Sequence, residues 1–178
     1  MIVILAGVAG SGKSTVGRIV AAQMGWTFED GDLLHSTADI AKMISGVPLT
    51  DADRWPWLHT VAAWVDQQIA AGKGGVVACS ALKRSYRDFL QQGRPELRIV
   101  LLDVDQATLT ARLTGRHGHF FPMKLLQSQL AVLEMPTPDE NVLVVPAVGT
   151  PAAMASKIID GLGLAPRSPG SPAGPVTG

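Results

Sequence analysis

Cysteine is all but missing from this chain, with one residue, Cys79, in 178. An internal disulfide is excluded, a reducing compartment such as the cytosol is expected, and Cys79 reads as a buried, inert thiol rather than a nucleophile. Excess charge of either sign is absent too. Lys plus Arg and Asp plus Glu number 15 each, so no overall field draws the protein to nucleic acid or to an acidic membrane surface. Basic residues that matter must act locally. Long hydrophobic runs are also lacking. The apolar stretch Met1 to Ala6 is too short to span a bilayer and has no basic segment before it, which argues for a core strand rather than a signal peptide. Charged residues make up 17% and hydrophobic ones 47%, a balance suited to a buried parallel sheet covered by alanine-rich helices.

Residues 7 to 14 read Gly-Val-Ala-Gly-Ser-Gly-Lys-Ser and satisfy G-x-x-x-x-G-K-[ST] at every fixed position. A strand-forming run precedes the octet and a helical pattern begins at Lys13 or Ser14, the context in which this pattern cradles polyphosphate. Gly7, Gly10 and Gly12 carry no Cβ, so the backbone can turn through positive φ and lie close to an anion. Successive N–H groups and the positive end of the helix then face it. Lys13 supplies a flexible charge for the β and γ phosphates, and the Ser14 hydroxyl is the expected protein ligand of Mg²⁺. The run Gly7, Val8, Ala9, Gly10, Ser11, Gly12, Lys13, Ser14 and Thr15 is therefore read as the seat of a nucleoside triphosphate. A guanine-specifying Asn-Lys-x-Asp segment is not visible, which weighs against a nucleotide-dependent switch.

Short apolar runs alternate with segments of helical spacing along the chain. Ile2 to Ala6, Trp26 to Glu29, Gly75 to Cys79, Arg98 to Leu102 and Val142 to Val145 read as strands. Val16, Ile19, Val20 and Met24 share one helical face that stops at Gly25. Thr50-Asp51-Ala52-Asp53 has the form of a capping box, and Ser80, Asp105 and Thr150-Pro151 look like further helix starts. The alternation predicts a three-layer α/β fold, a five-stranded parallel sheet flanked by helices, with ligands at the carboxyl ends of the strands. One domain is expected over residues 1–164. A Pro/Gly/Ser-rich tail over 165–178 has almost nothing to bury and is expected to be disordered.

Polar residues cluster just after the strands. Asp30-Gly31-Asp32 follows the second, where glycine frees the backbone to present a carboxylate. Asp32 is favoured to accept the proton of an attacking hydroxyl or to hold Mg²⁺ through water; an ordinary Asp-Gly turn is the bland alternative. Lys83 and Arg87 stand four apart on a predicted helix and so project from one face. With Arg54 and Arg84 they form either a clamp for an anionic acceptor, most simply a carboxylate, or a solvated basic face. Arg112 and Arg116 share that spacing ahead of His117-Gly118-His119-Phe120-Phe121, a segment suited to a flap closing over the nucleotide. Two histidines at i and i+2 without a third ligand make a weak zinc site. Trp55, Trp57 and Trp64 read as packing residues. Asp103 ends a strand as a magnesium-directing aspartate would, but ranks below Asp32.

Together these motifs resemble the gluconokinases, small P-loop kinases related in fold to shikimate kinase and the nucleoside monophosphate kinases. The pieces that carry the resemblance are Gly7 to Ser14, Asp30-Gly31-Asp32 with Leu34-His35, Lys42-Met43 with Gly46 and Pro48-Leu49, Asp51-Ala52-Asp53-Arg54 with Pro56-Trp57-Leu58, Cys79-Ser80-Ala81-Leu82-Lys83 with Tyr86-Arg87-Asp88, and Gly118 to Phe121. They run in order from residue 2 to about 146. The resemblance implies transfer of phosphate from ATP, with Mg²⁺, to the terminal hydroxyl of D-gluconate. The product, 6-phosphogluconate, would feed the pentose phosphate pathway. It implies catalytic roles for Lys13, Asp32 and Arg116, nucleotide contact by Arg112, and acceptor contacts from Asp32, Arg54, Ser80, Lys83, Arg87, His119 and Gln129. A cytoplasmic homodimer follows from the same resemblance, and another hydroxy acid such as shikimate, or a nucleoside monophosphate, is the alternative acceptor. The chain departs from the family at His35-Ser36 and Asp39, where His-Pro and Asn are usual. A negative charge near a carboxylate substrate weakens binding unless it points away.

Overall fold

Five parallel strands stand in the order β2-β3-β1-β4-β5: β1 (Ile2–Ala6), β2 (Thr27–Asp30), β3 (Gly75–Ala78), β4 (Leu97–Asp103) and β5 (Val142–Pro146). The structure is a computed structural model and describes residues 1–114 and 123–166. All five expected strands are present, each within one residue of its expected ends. The helices are α1 (Lys13–Met24), α2 (Thr37–Ile44), α3 (Asp51–Ala70), α4 (Arg84–Gln91), α5 (Gln106–Thr114), α6 (Met123–Val132) and α7 (Pro151–Gly161). No helix among the described residues is long and apolar enough to cross a membrane.

The period of two along β1 builds both halves of the core. Ile2, Ile4 and Ala6 pack with Trp57, Leu58 and Val61 of α3 and Tyr86 and Leu90 of α4, while Val3 and Leu5 meet Val16 and Val20 of α1 and Met154 and Ile158 of α7. Every β1 residue is fully buried, each large side chain contributing about 1.5–3 kcal/mol. Capping follows the sequence. Gly25 ends α1 in the left-handed region, at φ 67°. Thr50 and Asp53 exchange both capping-box hydrogen bonds at the start of α3, Asp105 accepts from the Thr108 N–H (2.8 Å), and Thr150 accepts from the Ala153 N–H ahead of Pro151.

Ser80 is a correction. The helix after β3 begins at Arg84, because Ala81 takes φ 38°, outside the helical region, and the Ser80 carbonyl is already engaged by the Gly7 N–H (3.1 Å). Helices α2 and α6, which the apolar spacing did not signal, complete the layers. A third apolar cluster of Val8, Leu82, Leu109 and Leu126 lies beneath the carboxyl ends of the strands. It joins the phosphate loop to the loop after β3.

Candidate active site

The phosphate loop leaves β1 at the middle of the sheet and enters α1. Gly7, Gly10 and Gly12 take φ of 135°, 80° and 101°, the left-handed region where a side chain is strained. At Gly7 a Cβ would also come within 3.0 Å of the Leu102 carbonyl oxygen and 2.9 Å of Ser11 Oγ. The loop thus forms a cradle of outward N–H groups at a helix N-terminus. Ser11 Oγ is buried there with no hydrogen-bond partner among the described residues. Lys13 opens α1 and donates from Nζ to the Val8 carbonyl (3.0 Å).

Two distant side chains brace this loop. Gln129 on α6 accepts from the Ala9 N–H at 2.6 Å, so the residue expected on the acceptor side lies against the donor loop. Arg112 on α5 donates to the carbonyls of Gly10 (3.4 Å), Ser11 (3.3 Å) and Ala147 (3.1 Å), tying the loop to the segment after β5. Beside it opens a cavity of about 240 Å³ lined by Gly10, Gly12, Thr15, Arg112, Gly149 and Pro151. Arg116, His117, His119, Phe120 and Phe121 lie outside the described residues, as does the tail from 167 onward.

Across the cleft, a single 3-10 turn over Gly31–Leu34 carries Asp32, exposed, directly after β2. Asp30 supports it as expected, accepting from the Asp32 N–H at 3.3 Å. Asp32, Lys13 and Arg54 all act electrostatically on the Cys79 thiol, which places the three around the end of β3. Burial dominates there and pushes the thiol up to about 12, so Cys79 stays protonated and inert at neutral pH. Arg54 is buried in α3 and donates from Nη1 to Ser80 Oγ (3.4 Å).

Lys83 and Arg87 do not share a helical face. Lys83 precedes α4 as its N-cap and donates to both carboxylate oxygens of Asp51 at 2.8 Å, with the Tyr86 hydroxyl on the same carboxylate at 2.7 Å. The Lys83 hydrogen bonds, then that of Tyr86, hold Asp51 below the usual carboxylate range. Arg87 has no exposed surface. Its guanidinium forks onto Glu140 at 2.7 and 3.0 Å and donates to the carbonyls of Leu82 and Glu134. In this arrangement it offers nothing to a ligand and instead fastens the loop after β3. Its partner lies 53 residues away, so no local pattern could have announced the pair. Asp51 stands in the sequence as part of a helix start and of the family's ordered motifs, with no role of its own read from either.

The two departures near α2 compensate each other. Ser36 caps α2 by accepting from the Asp39 N–H (3.1 Å) and donates its hydroxyl to Asp39 Oδ2 (2.7 Å). The carboxylate is thereby tied to its own helix start, and Asp39 is 7% exposed.

The phosphate cradle adjoins the loop after β3 through the Gly7 N–H on the Ser80 carbonyl, and the Ser80 hydroxyl meets Arg54, so the donor loop and the candidate acceptor residues lie next to one another. The family model described as "AAA domain" matches residues 2–136. The chain is 45% identical to a gluconokinase of Gluconobacter oxydans, over 88% of each protein. This chain belongs to the gluconokinase family. The crystal structure of a gluconokinase from Sinorhizobium meliloti superposes with a TM-score of 0.81 at 41% identity, covering 90% of each chain. Shikimate kinase from Aquifex aeolicus, at 14% identity and a TM-score of 0.54 over 92% of this chain and 96% of its own, shares the fold alone. The gluconokinase family thus accounts for the ordered motifs from the phosphate loop to the loop after β3.

Proposed function

We propose that this protein transfers the γ-phosphoryl group of ATP to the terminal hydroxyl of D-gluconate, giving 6-phosphogluconate and ADP. The observation that carries this reading is the family membership, supported by Arg54, which reaches Ser80 in the loop that the Gly7 N–H of the phosphate loop engages. Gluconate is a carboxylate and a polyol, so it needs both a positive partner and hydroxyl-binding groups. Arg54 and Ser80 supply them, and Lys83 joins them by exchanging the Asp51 carboxylate for that of the substrate.

The loop N–H groups and Lys13 hold the β and γ phosphates, and Arg112 borders the nucleotide pocket. Ser14 fits Mg²⁺ because a hydroxyl oxygen, helped by the Asp32 carboxylate through water, suits a hard cation that keeps most of its ligands as water and phosphate oxygens. No cluster of three His, Cys, Asp or Glu competes for a softer metal among the described residues. When bound, Mg²⁺ neutralises phosphate charge during transfer. Asp32 accepts the proton of the attacking hydroxyl as its oxygen bonds to phosphorus and the bridge to ADP breaks. Catalysis is otherwise positioning and charge stabilisation. Arg116 and His119 join the nucleotide and acceptor contacts in this reading; Arg87 and Gln129 hold the two loops in place. Homodimeric assembly and a cytoplasmic location are carried over from the family resemblance.

An ADP-release assay across D-gluconate, shikimate and nucleoside monophosphates is expected to show turnover with gluconate alone. Turnover with another acceptor and none with gluconate would replace the substrate while keeping the kinase. Asp32→Asn is expected to lower kcat by about 10²-fold, the lower end for a general base because phosphoryl transfer demands little proton transfer. A change confined to KM would recast Asp32 as a binding residue.

A further inference from the structure

Asp32 sits on one turn of 3-10 helix, a unit too short to hold its own shape. Its backbone bond to Asp30 is exposed, so the direction of its carboxylate is set by whatever fixes the turn. Leu34 of the turn packs on the core cluster that contains Trp57, and one polar group of the interior reaches the turn's backbone. Trp57, on α3 and 2% exposed, donates its Nε1–H to the Gly31 carbonyl at 2.7 Å. Three residues after Asp32, the His35 ring lies flat on the same indole, with centroids 4.3 Å apart and planes 10° apart. The His35 side chain is 4% exposed, and its Nδ1 has no hydrogen-bond partner among the described residues and stands 3.8 Å from Asp39, so the stack is one of the contacts that seat it. Gly31 lies hard against β3, where a Cβ would run into the Ala78 carbonyl. One indole therefore grips the turn on both sides of Asp32.

We propose that Trp57 is a positioning residue of the transfer reaction, acting through Asp32 by holding the Gly31–Leu34 turn from inside the core. This rests on the kinase reading above. A buried tryptophan needs an acceptor for its N–H; here that acceptor is the peptide group joined directly to Asp32. Loss of the bond frees the turn to shift, and misplacement by about 1 Å lowers a rate by up to about 10²-fold.

The test is a double-mutant cycle on kcat with ATP and gluconate, using Trp57→Phe, Asp32→Asn and both. Trp57→Phe is expected to lower kcat roughly 10-fold and to leave KM for ATP within about twofold. In the Asp32→Asn background the same change is expected to lower kcat by less than about twofold, because the interaction it acts through is gone. Should Trp57→Phe fail to fold, replacing the indole by the isosteric benzothiophene, which keeps the ring stack and deletes only the N–H, decides the matter. Losses that multiply independently across the cycle, or an unchanged kcat in the folded variant, overturn the proposal while leaving Asp32 its role. If Asp32→Asn itself keeps full kcat, the catalytic reading of Asp32 fails, and the role of Trp57 with it.

Discussion

Replacing Lys13 with alanine is expected to lower kcat/KM for ATP-dependent phosphorylation by roughly 10³-fold or more, with the fold intact. Lys13 is the first residue of α1 and its ammonium lies against the phosphate loop. In the proposed reaction it is the cation that follows negative charge onto the bridging oxygen between the β and γ phosphates. Alanine is the strongest helix former, so α1 should begin as before. The loop keeps its braces from Gln129 and Arg112, which do not depend on the lysine. A coupled assay and a thermal melt on the same preparation check the result. Near-normal turnover sinks the catalytic assignment, and a collapsed melting temperature attributes the loss to folding instead.

Arg87→Met is expected to destabilise the protein by about 3–5 kcal/mol, because it strands the Glu140 carboxylate in the interior. The Glu140 side chain is 3% exposed, and the Leu82 and Glu134 carbonyls lose a donor in the same step. At this chain length the loss corresponds to a melting temperature lower by roughly 6–20 °C. Removing both charges in Arg87→Met with Glu140→Leu should recover most of the stability, since the uncompensated ion is what weakens the single variant. A melting temperature unchanged in Arg87→Met would contradict the pairing.

The pH dependence has a definite sign. The Arg87 hydrogen bonds hold Glu140 below its ordinary 4.5. In the native protein this contribution is complete above that value and is lost as pH falls through the lowered one. In Arg87→Met the carboxylate keeps the Thr137 N–H (3.1 Å) but loses the guanidinium that chiefly lowers it, so desolvation moves its pKa upward. The deficit of the variant should therefore shrink between pH 7 and pH 4, which melts at several pH values would register.

Local chemistry explains what could be read from the chain. The phosphate loop is contiguous, and its glycines and lysine are dictated by backbone approach to an anion, so eight residues sufficed to recognise it. The strands are short apolar runs whose partners need not be known, and caps such as Thr50 with Asp53 or Thr150 with Pro151 are satisfied within three residues. The acceptor side is different. Lys83 and Arg87, four apart, looked equivalent, yet one is a partly exposed cap paired with Asp51 and the other a buried fastener of the loop after β3. The family resemblance puts Gln129 on the acceptor side, whereas its side chain braces the donor loop. Trp57 read as packing, which it is, but its N–H ends on the turn that bears Asp32.

The sequence by itself determined the fold class, the seat of the nucleotide and the family, because each depends on residues that are neighbours along the chain or on motifs in fixed order. Only the tertiary structure decided which charged side chains face the cleft and which hold it open. That choice depends on burial and on partners 26 to 120 residues away, and a charge has the same identity in the sequence whether it meets a substrate or a buried glutamate.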